Sequence, residues 1–255
     1  MDTKNSDLQQ LFDNTLDTIT VENILSSAQI STFFSVLEQQ PEWQETAKDD
    51  LHKRLFKDVP IPQFLFLSQY GFIASNINEE QYLEIVQGYK KIWDRMVPQI
   101  GFDVFELFKQ YLKKTYNADV VLASKSGKDY FPLTIRDLKD EVLPHADFGP
   151  FDGETWAINK VVKQIAWNIY LTDPGQGGET IVYDYLWENN EAVDAESYGI
   201  KNLNKPIRTK FSVVPGRLVM FNSRNFHEVR PSSQRRIGID GLLGQTADGK
   251  ILAWI

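Results

Sequence analysis

Three side chains in this sequence could together hold a divalent metal ion: His145, Asp147 and His227. An iron ion that must also bind a co-substrate and O2 can accept only three protein ligands, and two imidazoles with one carboxylate leave three positions open. In an extended strand, residues two apart point to the same side, so His145 and Asp147 could share one metal. The third ligand must come from elsewhere in the fold, and the chain contains only one other histidine, His52. These residues therefore predict an iron site.

The composition of the 255-residue chain limits the alternatives. It contains no cysteine, which excludes disulfides, thiolate nucleophiles, thiolate-bound zinc and iron–sulfur clusters. Its formal net charge of −8 does not favour binding to nucleic acid or to an anionic membrane surface. No apolar stretch resembles a signal peptide or a membrane span. We therefore expect a cytoplasmic protein without a nucleic-acid or membrane partner, whose oligomeric state the sequence does not predict.

Helical spacing dominates the first half of the chain. Apolar residues recur at intervals of three and four, which is typical of amphipathic helices. The predicted helices cover residues 23–40, 42–56, 78–97 and 102–116. His52 falls on the second helix, off its apolar stripe, which favours a surface position over metal binding. Residues 63–75 are apolar without a clear period and are predicted to be buried, as a strand or in irregular form.

After Asn117 the pattern changes to short β-rich runs separated by turn residues. The predicted strands cover residues 119–123, 133–138, 142–146, 164–172, 179–185, 209–214, 217–222, 227–229, 236–245 and 251–254. Many short strands of this kind are typical of a sandwich or a jelly-roll barrel. Residues 187–207 are polar, which predicts an inserted loop over one mouth of the barrel. We expect an α+β protein in which a mainly helical region, residues 1–116, packs on a β core, residues 117–255, as one compact unit.

A series of motifs follows the His145–Asp147 pair in a recognisable order. They are Asn168-Ile169-Tyr170-Leu171-Thr172, Gly177-Gly178-Glu179-Thr180, Pro215-Gly216-Arg217-Leu218-Val219-Met220-Phe221, His227 and Arg236. In this order, residues 117–255 resemble the Fe(II)/2-oxoglutarate-dependent oxygenases. The runs Leu133-Thr134-Ile135-Arg136 and Gly241-Leu242-Leu243-Gly244 are most similar to the freestanding, hapalindole-type halogenases and their hydroxylase relatives. The resemblance implies a double-stranded β-helix core, also called a cupin-like jelly roll, that uses Fe(II), 2-oxoglutarate and O2. It does not extend to residues 1–116.

Asp147 marks the departure of this chain from the halogenases that it resembles. Those enzymes have glycine at this position, and the missing carboxylate frees an iron position for a halide. Two imidazoles, one carboxylate, a bidentate 2-oxoglutarate and O2 together fill six positions and leave none for chloride. The resemblance therefore implies hydroxylation.

The resemblance also suggests which residues contact the co-substrate. Arg236 is expected to bind the far carboxylate of 2-oxoglutarate, because a guanidinium offers two parallel donors to a planar carboxylate. Arg235 would point to the opposite face of the strand, and a register shift by one residue would exchange the two arginines. Tyr170 could reach the same carboxylate or pack in the core, and its neighbour on the same face is Asn168. Thr180 and Arg136 could line the pocket. Asp240 and Glu228 are expected to be surface or structural acids, although an inward Asp240 would suit a cationic substrate.

Together these features predict a 2-oxoglutarate-dependent non-haem iron dioxygenase. It would hydroxylate an unactivated C–H bond of a small molecule, an amino acid or a natural-product intermediate, and release succinate and CO2. The long polar loop favours an enclosed small-molecule pocket over an open groove for a protein side chain. A protein side-chain hydroxylase remains an alternative, and so does a cupin-like protein that binds a metal or a ligand without catalysis.

Overall fold

Two facing β-sheets carry the fold, and helices cover the outer face of the larger sheet. The computed structural model describes residues 3–45, 63–66, 77–152, 155–188 and 203–255. The helices are α1 (Thr3–Phe12), α2 (Ser27–Glu38), α3 (Pro41–Glu45), α4 (Glu79–Ile100), α5 (Val104–Tyr116) and α6 (Gly149–Asp152), with a 3-10 turn at Ala157–Lys160. The strands are β1 (Thr18–Val21), β2 (Gln63–Leu65), β3 (Val120–Leu122), β4 (Ser124–Lys125), β5 (Lys128–Asp129), β6 (Thr134–Asp137), β7 (Val142–His145), β8 (Val161–Tyr170), β9 (Thr180–Leu186), β10 (Ile207–Phe211), β11 (Leu218–Phe221), β12 (Asn225–Val229), β13 (Ile237–Thr246) and β14 (Ile251–Trp254).

The centre of the larger, eight-stranded sheet is the long antiparallel pair of β8 and β13. Its strand order is β1–β11–β8–β13–β14–β3, while β6 pairs with the first half of β13 and β2 pairs with β6. The smaller sheet has the order β10–β9–β12–β7. Strands β1 and β2 precede Asn117 in the chain, so the larger sheet draws on the N-terminal region as well as on the predicted β core.

Alternating residues of β8 separate the two sides of the larger sheet. Trp167 points outwards and stacks on Phe108 of α5, with ring centroids 4.6 Å apart. Ala166 and Tyr170, on the opposite face of the strand, point inwards and pack with Val182 of the smaller sheet. Because successive side chains of a strand face opposite sides, β8 contacts the helical layer on one face and the smaller sheet on the other. From Ile165 onwards the strand is largely buried on both faces, which explains why most of its residues from that point are apolar.

The long helix α4 has clear start and stop signals in the sequence. The side chain of Asn78 accepts a hydrogen bond from the backbone N–H of Gln81, and the Gln81 side chain accepts one from the Asn78 backbone, which forms a capping box. Gly101 ends the helix with a φ of +84°, a left-handed conformation that glycine adopts without strain. Between these caps the helix buries an apolar face that includes Tyr82, Val86 and Trp93. The helix predicted for residues 78–97 is therefore confirmed, with three more residues at its end.

The expected α+β class with a jelly-roll core and packed helices is confirmed. The first half is less uniformly helical than predicted, because β1 is a strand of four residues, too short to show a pattern against its helical surroundings. The three-residue strand β2 lies in the stretch 63–75, for which a strand was one of the two predicted forms. Most of the predicted helix 42–56 with His52, residues 67–75 of the apolar stretch 63–75 and most of the predicted loop 187–207 lie outside the described residues. Within the described part of the chain, no helix has the length and apolar character needed to cross a membrane.

Candidate active site

His145 and His227 lie opposite each other on neighbouring strands of the smaller sheet. His145 ends β7, His227 lies within β12, and the antiparallel register pairs the two residues directly. Their ring centroids are 4.3 Å apart, and both residues are buried. The histidine that is distant in sequence is therefore the cross-strand neighbour of the first one.

Backbone carbonyl groups fix the orientation of both imidazole rings. Nδ1 of His145 lies 2.8 Å from the carbonyl oxygen of Leu143, and Nδ1 of His227 lies 2.9 Å from that of Asn225. A ring that donates its Nδ1–H in this way carries its lone pair on Nε2, the form that binds metals. Burial, aided by the neighbouring His227, lowers the pKa of His145 to about 4, so this ring is neutral at pH 7.

Asp147 lies just beyond the end of β7, where its backbone is anchored. Its N–H donates to the carbonyl oxygen of Ser223 at 2.9 Å, and its own carbonyl oxygen accepts from Gln164 Nε2 at 2.9 Å. Burial acts to raise the pKa of the Asp147 carboxyl group. The hydrogen bond with His227 and the charges of His145 and His227 outweigh burial and lower this pKa to about 2, so the group is an ionised carboxylate at neutral pH.

Gln164 is a positioning residue that the sequence did not single out. Its side chain is fully buried; Oε1 accepts from the Gly149 N–H at 2.8 Å, and Nε2 donates to the Asp147 carbonyl oxygen and to Ser223 Oγ. A buried amide needs such partners, because an unpaired polar group in the interior is costly. The signal in the sequence was an amide just before the apolar residues Ile165, Ala166 and Trp167 of β8.

The donor set formed by the three predicted ligands fits Fe(II). Oδ2 of Asp147 lies 3.5 Å from Nε2 of His227 and 4.0 Å from Nε2 of His145. One ligand atom from each residue lies within 4.8 Å of the other two. Two imidazole nitrogens and one carboxylate on a single side have the composition of the facial triad in non-haem Fe(II) oxygenases. The structure therefore brings together all three side chains that the sequence indicated.

Arg236 lines the same pocket as the three candidate ligands, and only 3% of its surface is exposed. Its Nε donates to the carbonyl oxygen of Gly178 at 2.9 Å, and its Nη2 donates to Thr180 Oγ1 at 3.0 Å. Gly178 has a φ of +77°, and a Cβ at this position would lie 2.9 Å from Cβ of Pro174. The glycine turn is therefore required for the close approach of this carbonyl group to the guanidinium.

Arg235 points away from the pocket. Its Nε donates to Asp137 Oδ2 at 2.8 Å, and its Nη1 lies 2.8 Å from Glu38 Oε1. Its guanidinium also lies 5.9 Å from the centre of the Trp43 ring, on the helical side of the sheet. Arg236 therefore lies in the pocket and Arg235 does not, a distinction that the sequence alone left open.

The remaining co-substrate candidates have different surroundings. Thr180 and Asn168 both line the pocket. Tyr170 is not one of the described lining residues; it is buried in the core between the sheets, with its ring centre 5.2 Å from the Arg236 guanidinium. This geometry supports packing under Arg236, the second of the two roles considered for Tyr170.

Arg136 and Asp240 form an ion pair in the pocket wall. Arg136 Nε lies 3.3 Å from Asp240 Oδ1, and its Nη2 donates to Oδ2. Of the positions considered for Asp240, the structure excludes the surface and leaves the inward, structural one: the residue is 5% exposed, because the register of β13 against β8 turns it to the inner face beside Asn168. Glu228 is also buried rather than on the surface, and it pairs with Arg230 at 2.8 Å outside the described lining of this pocket.

Comparison with known proteins relates this geometry to a family. A family model described as "Carrier-protein-independent halogenase WelO5" matches residues 1–254. Leucinostatins biosynthesis cluster protein S of Purpureocillium lilacinum is 33% identical over 172 residues, 64% of this chain and 69% of that protein. The L-gamma-glutamyl-L-propargylglycine hydroxylase of Streptantibioticus cattleyicolor is 29% identical over 163 residues, 60% of this chain and 59% of that protein. The second match thus spans less than two thirds of the relative's length.

Solved structures agree with the fold. An N-substituted L-amino acid dioxygenase from Burkholderia ambifaria AMMD superposes with a TM-score of 0.54 and 13% identity, over 97% of this chain and 91% of that one. Its complex with alpha-ketoglutarate gives a TM-score of 0.53, also with 13% identity, over 97% and 90% of the two chains. At this identity the likeness concerns the architecture alone.

The resemblance to the halogenase family was expected to cover residues 117–255 only. The family match also includes residues 1–116, so this expectation is corrected. The expectation of Fe(II) and 2-oxoglutarate is confirmed at the level of the family, and His145, Asp147 and His227 form a donor set that suits the iron. The chain belongs to the carrier-protein-independent halogenase family WelO5, within the Fe(II)/2-oxoglutarate-dependent oxygenases.

Proposed function

We propose that this protein hydroxylates an unactivated C–H bond of a small molecule, in a reaction that depends on Fe(II) and 2-oxoglutarate. The observation that carries the proposal is the carboxylate of Asp147, 3.5 Å from Nε2 of His227. In the halogenases that the sequence resembles, glycine stands at this position and leaves room for a halide. Here the protein itself supplies the third ligand, which favours hydroxylation within a family named for halogenation.

Different residues would bind the metal ion and the co-substrate. His145, Asp147 and His227 would hold Fe(II), with both imidazoles oriented through their Nδ1 atoms by backbone carbonyl groups. Arg236 would bind the far carboxylate of 2-oxoglutarate, assisted by Thr180. Fe(II) held by these residues would supply, together with 2-oxoglutarate and O2, the oxidising chemistry that turns a C–H bond into C–OH, and the 2-oxoglutarate would be converted to succinate and CO2.

Apolar side chains in the walls of the pocket exclude water from the site. Most of the other described lining side chains are hydrocarbon: Leu138, Val142, Ala166, Phe221, Val229, Leu242 and Ile255. Such walls hold the target carbon in place and keep solvent away from reactive species. The names of the relatives, a hydroxylase of a dipeptide and a member of a leucinostatin biosynthesis cluster, support a small-molecule substrate and a role in natural-product biosynthesis.

The proposal is tested by measuring succinate formed from 2-oxoglutarate. With purified protein and a panel of candidate substrates, we expect succinate to form in proportion to hydroxylated product, only when Fe(II) is present. His145→Ala should abolish the reaction. A matched control is Lys163→Ala, because Lys163 pairs with Asp13 in a half-exposed ion pair that is not part of the pocket lining.

Two results would favour the alternative of a ligand-binding protein without catalysis. The first is wild-type protein that binds Fe(II) but gives no succinate with any member of the panel. The second is 2-oxoglutarate turnover that His145→Ala does not change. Absence of Fe(II) binding, with no visible charge-transfer absorption after anaerobic addition of 2-oxoglutarate, would refute the iron site itself.

A further inference from the structure

The ion pair Arg136–Asp240 is a part of the pocket that neither iron nor 2-oxoglutarate uses in the proposed function. Arg136 lies on β6 and Asp240 on β13, which are adjacent antiparallel strands of the larger sheet. Both side chains line the pocket that contains His145 and Arg236. The Asp240 side chain is 8% exposed and that of Arg136 is 34% exposed, so the cation is the more accessible end of the pair.

An ion pair with a buried carboxylate in a pocket wall is a costly feature. Burial of the Asp240 side chain removes its charge from water, and the attraction of the partly exposed Arg136 only partly offsets this penalty. Apolar side chains of similar size would often be at least as stable at such a position. Stability alone therefore gives little reason for this pair, and recognition of a charged ligand is a physical reason for keeping it.

The charge balance of the pocket limits the net charge of the substrate. The described lining contains two guanidinium cations, Arg136 and Arg236, and two carboxylates, Asp147 and Asp240. Fe(II) and the 2-oxoglutarate dianion add equal and opposite charges. The loaded pocket is therefore neutral before the substrate enters, and a substrate with a net charge would remain uncompensated in a largely buried site.

We propose, on the basis of the proposed function, that Arg136 and Asp240 bind the head group of a zwitterionic substrate, an α-amino acid or a small peptide. Arg136 binds the carboxylate of the substrate, and Asp240 accepts a hydrogen bond from its ammonium group. A zwitterion keeps the pocket neutral while it meets both ends of the ion pair. Its aliphatic part then packs against the hydrocarbon walls near His145 and His227, where the C–H bond is oxidised.

The geometry favours this substrate class over two others. An uncharged scaffold would cover the ion pair, remove its remaining water and supply no compensating hydrogen bond. A simple carboxylic acid or amine would satisfy one end of the pair and add a net charge to the site. Each oxygen of Asp240 carries two lone pairs, so the carboxylate can accept from an ammonium group and from Arg136 together.

The test uses the complete protein, loaded with Fe(II) and 2-oxoglutarate, and follows succinate formation. The probes are aliphatic L-α-amino acids and their L-alanyl dipeptides, which have one ammonium group and one carboxylate each, and every probe is compared with its N-acetyl and its methyl ester derivative. We expect the zwitterions to stimulate turnover and the blocked derivatives to be at least about tenfold weaker in kcat/KM, because each loses one charge-assisted hydrogen bond.

Two variants locate the effect in the ion pair. Arg136→Met should raise KM for the zwitterion by about 10- to 100-fold, and Asp240→Asn should reduce the discrimination against N-acetyl derivatives. The matched control replaces a half-exposed ion pair that is not part of the pocket lining, with Arg95→Met and Glu42→Gln. Binding of 2-oxoglutarate to the Mn(II)-loaded variants, measured by calorimetry, should stay within about threefold of the wild type.

The outcomes separate this inference from the proposed function. Blocked or uncharged derivatives that match the zwitterions, or a panel in which no zwitterion stimulates turnover, would overturn the zwitterion proposal while Fe(II) and 2-oxoglutarate still bind. An Arg136→Met variant that loses 2-oxoglutarate binding instead of substrate affinity would assign Arg136 to the co-substrate and equally overturn it. If the wild type binds neither Fe(II) nor 2-oxoglutarate, the proposed function fails first.

Discussion

Replacing Arg236 with methionine should weaken 2-oxoglutarate binding, whereas the same replacement at the adjacent Arg235 should not. The two residues are neighbours in sequence with the same chemistry, but Arg236 lines the pocket and Arg235 pairs with Asp137 and Glu38 on the other side of the sheet. A comparison of these two variants therefore tests the direction of the side chain while the residue type and the local sequence stay the same.

The expected magnitude follows from the hydrogen bonds that a guanidinium forms with a carboxylate. A bidentate contact contains two charge-assisted hydrogen bonds, each worth about 1.5–3 kcal/mol. Their loss corresponds to about 3–6 kcal/mol, which weakens binding by about 10²- to 10⁴-fold. For Arg235→Met we expect a change in the dissociation constant of less than about threefold, because the ion pairs that are lost, with Asp137 and Glu38, lie on the other side of the sheet.

The assay is an anaerobic titration of 2-oxoglutarate into the Mn(II)-loaded protein, followed by calorimetry. Arg236 also donates to Gly178 and Thr180, so thermal unfolding without 2-oxoglutarate must accompany each titration. Arg236→Lys is a second variant that keeps the charge and loses the fork of donors, and it should fall between the wild type and Arg236→Met. Equal effects at positions 235 and 236, or a larger effect at Arg235, would refute the assignment.

Two further predictions concern the support of the site and the helical layer. Gln164→Leu removes the amide that donates to the Asp147 carbonyl oxygen, and we expect the Fe(II) affinity, measured by competition with a chelator, to fall by about 10- to 100-fold. The control is Gln99→Leu, at an exposed position. An unchanged Fe(II) affinity of Gln164→Leu would show that Gln164 does not position the carboxylate. Trp167→Ala leaves a cavity against Phe108 and should lower the free energy of unfolding in urea by about 3–5 kcal/mol, and a loss under about 1 kcal/mol would contradict the packing of α5 on β8.

The candidate ligands could be predicted from sequence because their chemistry is local and uncommon. Two of only three histidines fall in the motif, and the alternation of a strand places His145 and Asp147 on one side. The pairing of His145 with His227 depends on the register of β7 against β12, which no local pattern encodes. Residue types and spacing therefore indicated the ligand set, while its assembly required the fold.

Asp240 and Gln164 show where the sequence alone was insufficient. Both are polar residues within strands, and the pattern of residue types does not tell which face of the strand meets a pocket. Asp240 turns inwards because it lies opposite Asn168 in the register of β13 and β8. Strand β1 was not predicted for a related reason, since its pairing with β11, rather than its own composition, defines it.

The measurement that tests the central claim most directly is product analysis of the wild type and Asp147→Gly in the presence of chloride. With a substrate that supports succinate formation, the wild type should give hydroxylated product and no chlorinated product, because the Asp147 carboxylate fills the position that a halide needs. Asp147→Gly should lose hydroxylation. A chlorinated product from the wild type, or full hydroxylation by Asp147→Gly, would contradict the assignment of Asp147 as an iron ligand in a hydroxylase.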